Sequence, residues 1–219
     1  MFGRLRTRVA HVAEICPIVL PGRETRIQEA AYTRLSELAD DLSNALRPYI
    51  TRPYALYGHC GGGLIAFESA RRLQEDYGLP PSALLVSGCG APNLASHEND
   101  IHLLPHDEFL AVVAAMGGVP DALLRNSEMM ELLLPTIRAD FEVYETYNFD
   151  PNPRLRCSVE AFLGTEDSGI SAEEVNGWKD VTEGTFRLQP FLGGHLPFER
   201  DEDLVFKLLQ TLKGLTESN

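Results

Sequence analysis

Residues 58–63 read Gly58-His59-Cys60-Gly61-Gly62-Gly63, behind the apolar run Tyr54-Ala55-Leu56-Tyr57 and ahead of a helical pattern. A strand, a nucleophile and a helix can follow one another this closely only through a sharp turn that lifts the middle side chain above the sheet. The outer glycines of the Gly-x-nucleophile-x-Gly unit are Gly58 and Gly62. A Cβ at either place is expected to clash with the neighbouring strand or helix. The raised side chain is the thiol of Cys60, where this pattern normally carries a serine hydroxyl.

The rest of the chain agrees with one kind of architecture. Strand-like runs fall at 12–20, 54–59, 82–88, 157–164 and 185–192, and helical patterns alternate with them. Leu35, Leu38, Leu42 and Leu46 mark one helix face, and Leu204, Leu208 and Leu212 with Val205 and Leu209 mark another. Such alternation predicts an α/β fold: a mainly parallel sheet covered by helices on both faces, the α/β-hydrolase arrangement. The 219 residues suit a single domain over 1–219. From Pro105 to about Tyr147 the helical pattern runs on without a strand, breaking at Gly117-Gly118 and Pro120. A helical lid insertion over about 100–148 is the expectation, the alternative being helices that simply pack on the sheet.

Charge and cysteines narrow the function classes. Net charge is −13, and it is uneven: residues 1–80 carry 10 Arg against 9 acidic side chains, residues 81–219 carry 9 basic against 23 acidic. A nucleic-acid partner needs a basic face, so none is expected. No run of 18 apolar residues argues for a membrane span, and the Arg-rich start lacks the apolar core of a signal peptide. Cys16, Cys60, Cys89 and Cys157 are widely spaced with no CxxC, which fits free thiols in a cytoplasmic protein.

A nucleophile needs a base, and the base an orienting acid, in the chain order nucleophile, acid, base. Gly164-Thr165-Glu166-Asp167 follows the fourth run and Gly193-Gly194-His195 the fifth. Both loops fall at the carboxyl ends of strands, where open parallel sheets form their sites. Taken alone, Asp167 also suits a surface turn, and Glu166 is a rival acid. His11, His97, His102 and His106 lie in no motif and read as surface or lid residues. His59 sits inside the turn with its side chain expected to point away from the nucleophile.

With these residues in view, the chain resembles a type II thioesterase, the stand-alone editing hydrolase of nonribosomal peptide and polyketide assembly lines. The marks are Leu20-Pro21-Gly22-Arg23-Glu24 with Arg26, the turn 58–62, Ser87-Gly88 with Ala91-Pro92, Gly117-Gly118-Val119-Pro120, Pro135-Thr-Ile-Arg-Ala-Asp140, Gly164-x-x-Asp167, Trp178 and Gly193-Gly194-His195. The resemblance implies Cys60 as nucleophile, His195 as base and Asp167 as acid. The Gly61 N–H would be an oxyanion donor. The implied substrate is an acyl or aminoacyl group on the 4'-phosphopantetheine of an acyl or peptidyl carrier protein, with no cofactor or metal of the enzyme's own and a monomeric state. The lid would form the acyl pocket, with Met116, Met129, Met130 and Phe141 as candidate walls; packing of lid helix on lid helix is the alternative.

Two departures from the family pattern matter. With Cys60 the acyl-enzyme is a thioester, open to water but equally to another thiol or an amine. An acyltransferase is therefore a second reading, and a catalytically weak carrier-protein binder a third. The second departure is at the start, where Pro21 lies only 20 residues from Met1. Family members carry a strand and a Phe-Pro-x-Ala-Gly-Gly-like loop ahead of this point. The expectation is an absent central strand and second oxyanion donor, from a start codon assigned late or from a repurposed relative. An exposed gap in the sheet would favour self-association.

Overall fold

A computed structural model of the chain describes residues 2–94, 100–116, 119, 121–195 and 202–217. Gly117, Gly118, Pro120 and His97, singled out above, lie outside the described residues. The chain divides into two compact units. The first comprises residues 1–17, 39–95 and 149–219, the second residues 18–38 and 96–148. The helical stretch expected as an insertion thus has a compact unit of its own, shared with residues 18–38, which the sequence reading had left outside it.

In the first unit, four parallel strands form a sheet in the order β1-β2-β3-β4: β1 Ala55–His59, β2 Ala83–Ser87, β3 Ser158–Gly164 and β4 Phe186–Phe191. Helix α1 spans Phe2–Val9 and α3 Gly61–Tyr77; α2, Leu35–Leu46, has residues 35–38 in the second unit and the rest in the first. The short α7 (Ala172–Asn176) follows β3, and α8 (Glu202–Glu217) closes the chain; α4 to α6 belong to the second unit.

Strand periodicity assigns the faces. Leu85, Phe162 and Phe191 form one buried cluster with Leu204 and Leu208 of α8, and Tyr57 and Ala55 pack against it. Val86, of opposite parity to Leu85, faces the first turn of α3. Helices therefore cover both faces, as the alternation predicts. All five residues of β2 are buried, while β1, at one end of the strand order, is mostly half-buried. Trp178 is fully buried, meets Phe67 edge to face at 5.5 Å, and donates its indole N–H to the Cys89 carbonyl at 2.9 Å.

Four of the five strand-like runs are strands to within a residue or two of their expected ends. The fifth, 12–20, is not: these residues form no ladder, and Ile18 is 44% exposed. Pro17 at its centre has no N–H to donate, and a lone extended run gains nothing without a partner strand. Cys16 is consequently exposed, while Cys89 and Cys157 are buried free thiols.

In the second unit, α4 (His106–Ala115), α5 (Asp121–Leu124) and α6 (Ser127–Glu145) surround a core of Ile101, Phe109, Val113, Met130 and Leu134. Arg23 grips Asp140 of α6 through both terminal nitrogens, at 2.7 and 3.3 Å. Thr136 donates its hydroxyl to the Gly22 carbonyl at 2.8 Å. The Pro-Gly-Arg-Glu and Arg-Ala-Asp phrases thus meet as two halves of one latch. His102 is a mostly buried partner of Glu145, whose carboxylate also accepts the Ile101 and His102 backbone N–H groups at 2.9 Å each.

Trp178→Phe keeps the ring contact but leaves the Cys89 carbonyl without its donor. A loss of about 1–3 kcal/mol is expected, the usual figure for one unsatisfied buried group, read by urea denaturation followed by circular dichroism.

Candidate active site

The turn after β1 is built by close backbone approach. An ideal Cβ on Gly58 would lie 2.1 Å from the Gly62 carbonyl oxygen and 2.6 Å from Gly63 Cα, so β1 and α3 meet only because Gly58 has none. The expectation for Gly62 is corrected: a Cβ there meets nothing within 4 Å. The second steric demand falls one residue on, at Gly63, whose Cβ would sit 2.8 Å from Cys89 Sγ. The added helical rotation turns Gly63, not Gly62, toward the β2 end. Cys60 itself takes φ 52°, ψ −132°, a conformation that L-residues avoid and that the surrounding structure must enforce.

Cys60 is the N-cap of α3 and is exposed. His195 lies four residues beyond β4, and Asp167 three beyond β3. The carboxyl ends of β1, β3 and β4 thus bring the three residues together. His195 Nδ1 lies 2.8 Å from Asp167 Oδ2, and its imidazole hydrogen-bonds the Cys60 sulfur. The Asp167 side chain is 1% exposed and meets His195, whereas Glu166 is exposed. The Asp167 loop is itself tied down: Glu166 N–H donates to the Gly193 carbonyl at 2.9 Å, and Gly169 N–H to Asp167 Oδ1 at 2.9 Å.

The electrostatics favour charge separation. Burial pushes the Cys60 thiol up, but the His195 hydrogen bond and charge, helped by the Gly61 backbone N–H, bring it below its ordinary value. The hydrogen bond from Cys60 raises His195 to about 9, against burial and with support from Asp167. Lowering the thiol and raising the imidazole both favour the thiolate–imidazolium form of the pair. Cys89 and Cys157 show the opposite: burial without a cation raises them to about 12 and about 11.

One neighbour escaped the sequence reading. His59, set aside as pointing away from the nucleophile, places its ring 5.5 Å from that of His195. Its Nδ1 is 2.9 Å from Ser87 Oγ, which in turn is 2.7 Å from the Tyr57 hydroxyl. Strand alternation carried the signal: Tyr57, His59 and their neighbours Leu85 and Ser87 share one face.

The candidate acyl-pocket residues divide. Met130 is buried in the core of the second unit and Phe141 packs against that core, edge to face with Phe109. Met116 and Met129 are exposed, at 56% and 37%. Among the described residues no cluster of metal-ligating side chains occurs, and no helix is long and apolar enough to cross a membrane.

Comparison with known proteins gives a consistent set. Residues 1–211 match the model of the thioesterase domain. The gramicidin S biosynthesis protein GrsT of Aneurinibacillus migulanus is 35% identical over 182 residues, 83% of this chain and 71% of that protein. The thioesterase PikA5 of Streptomyces venezuelae is 34% identical over 195 residues, 89% of this chain and 69% of that one. Among solved structures, the RedJ thioesterase of the prodiginine pathway in Streptomyces coelicolor superposes with a TM-score of 0.86 at 31% identity, covering 98% of this chain and 80% of that one.

Two outcomes are expected. Gly58→Ala destabilises by at least about 3 kcal/mol, while Gly62→Ala is neutral or stabilising by up to about 1 kcal/mol, in parallel thermal melts. Iodoacetamide alkylates Cys60 with an inflection below the ordinary thiol value, because the His195 imidazolium stabilises the thiolate. In His195→Ala the inflection rises, since burial then acts unopposed.

Proposed function

This chain belongs to the thioesterase family, and from that premise we propose that it hydrolyses acyl or aminoacyl thioesters carried on the phosphopantetheine arm of carrier proteins of nonribosomal peptide or polyketide assembly lines. The observation that carries this reading is the meeting of Cys60, His195 and Asp167 at the carboxyl ends of β1, β3 and β4.

The Cys60 thiolate attacks the thioester carbonyl, and the oxyanion of the tetrahedral intermediate faces the Gly61 N–H. Collapse breaks the bond to the phosphopantetheine sulfur, which takes the proton from the His195 imidazolium and departs as a thiol. What remains is an acyl-Cys60 thioester beside a neutral His195. Acylation has removed the thiolate that chiefly raised the imidazole, so His195 now accepts a proton from water. Hydroxide attack and collapse give the carboxylic acid and restore the thiolate–imidazolium pair. Asp167 holds Nδ1 throughout, which aims the other nitrogen at the reacting atoms.

The identity of the nucleophile favours a second reading, transfer of the acyl group to another carrier-protein thiol or to an amine. Thioester-to-thioester exchange changes bond energy little. The two readings separate in intact-protein mass spectrometry of the enzyme mixed with an acyl-loaded carrier protein, with and without an empty second carrier. Hydrolysis predicts an acyl adduct on Cys60, absent in Cys60→Ala, that decays to free acid at one rate in both mixtures. An adduct that persists in water and discharges onto the empty carrier makes the protein a transferase. Full turnover by Cys60→Ala removes the covalent mechanism.

A further inference from the structure

His195 is held in plane by two partners, Asp167 at Nδ1 and Cys60 on the other side. One hydrogen bond at Nδ1 fixes that atom but leaves the ring free to pivot about the bond. The His195 side chain is 36% exposed, so packing by solvent-facing loops cannot prevent the pivot alone. The His59 ring lies beside that of His195, at 5.5 Å between centroids and 50° between planes. Room for both rings comes from Gly88: a Cβ there would lie 2.7 Å from His59 Cε1 and 3.4 Å from His195 Cε1. Gly88 also has φ +54°, a conformation that a side chain resists.

His59 is in turn anchored from below. Ser87, 1% exposed at the end of β2, meets His59 Nδ1 at 2.9 Å and the Tyr57 hydroxyl at 2.7 Å. The register pairs His59 with Ser87, so the bond runs between adjacent strands. Resting on the assignment of Cys60 and His195 as the reacting pair, we propose that His59 is a positioning residue: its ring, anchored through Ser87 to Tyr57 and seated with His195 over the Gly88 notch, keeps the His195 imidazole aligned between Cys60 and Asp167.

The chemistry of the residue suits the task. The charged and titratable groups that bear on His59 are His195 and Asp167, with Tyr57 reached through Ser87. Burial first, and the His195 charge second, hold His59 down to about 4. It is therefore neutral above about 4, while His195 stays an imidazolium up to about 9. A cation in its place would oppose that imidazolium, and a purely apolar ring would have no bond to fix its plane.

The test compares wild type, Ser87→Ala and His59→Ala in two measurements. The first is the pH dependence of Cys60 alkylation by iodoacetamide, which needs no carrier protein. The second is steady-state hydrolysis of an acyl-loaded carrier protein. In both variants the alkylation inflection should rise toward the ordinary thiol value of 9.0, and kcat should fall by up to ~10²-fold at similar KM. A structural role alone would lower the amount of folded enzyme without moving the inflection of what remains. Should His59→Ala not fold, Ser87→Ala decides, since it leaves the ring and removes only its anchor. An unchanged inflection in the soluble variants overturns the role of His59 and leaves the site intact. A wild-type inflection already at the ordinary value overturns the Cys60–His195 pairing, and the role of His59 with it.

Discussion

The structure of the first unit depends on a contact in which nothing is bonded: the backbone of β1 at Gly58 lying against the backbone of α3 at Gly62 and Gly63. This approach forces the chain to reverse within one residue, and that residue is Cys60 at positive φ. The strain is local, of the order of 1–3 kcal/mol for such a conformation. It is held by the β1–β2 ladder on one side and the first turn of α3 on the other. The same reversal makes Cys60 the N-cap of a 17-residue helix, so the sulfur stands where helix amides converge. One steric fact thereby sets the position, the exposure and part of the electrostatics of the Cys60 sulfur.

The remaining electrostatics come from distant parts of the chain. Burial disfavours the thiolates of Cys60, Cys89 and Cys157, and Cys89 and Cys157 show its effect where no cation opposes it. Cys60 escapes because a cation faces it, and that cation is held chiefly by its bond to Cys60 and further by Asp167. Asp167 lies in a loop that is hydrogen-bonded to the loop carrying His195, so the two side chains are positioned as one piece.

Most of this was legible in the sequence. The turn, the two Gly-rich loops after strands and the order nucleophile–acid–base required only local patterns. Strand ends were most readable for β2 and β3, largely buried and mainly apolar runs of the kind parallel sheets contain. Three features were not. Residues 12–20 look like a strand by composition, but composition does not supply a neighbour, and Pro17 weakens the run. The role of Gly63 required the pitch of the first helical turn, which the motif spacing suggests wrongly. His59 was hidden because its contacts lie across a strand pair, at a register that no single segment records. The Arg23–Asp140 latch was visible as two phrases and not as a pair. It is a partly exposed ion pair, which typically contributes under about 1 kcal/mol. Its effect is on which loop meets which helix more than on stability.

That latch joins residues 117 positions apart, and it closes a unit made of two separate pieces of chain. The first unit is in three pieces, the last of which contributes β3, β4 and α8. During synthesis, β1, α3 and β2 emerge as a contiguous block but cannot bury the face that α8 covers. The second unit reaches completion earlier, once α6 has left the ribosome and met residues 18–38. Assembly of this chain therefore has a built-in order, helical unit before sheet. The nascent sheet spends that interval with unpaired edges and apolar faces, the interval in which a slow-forming parallel topology is most open to aggregation.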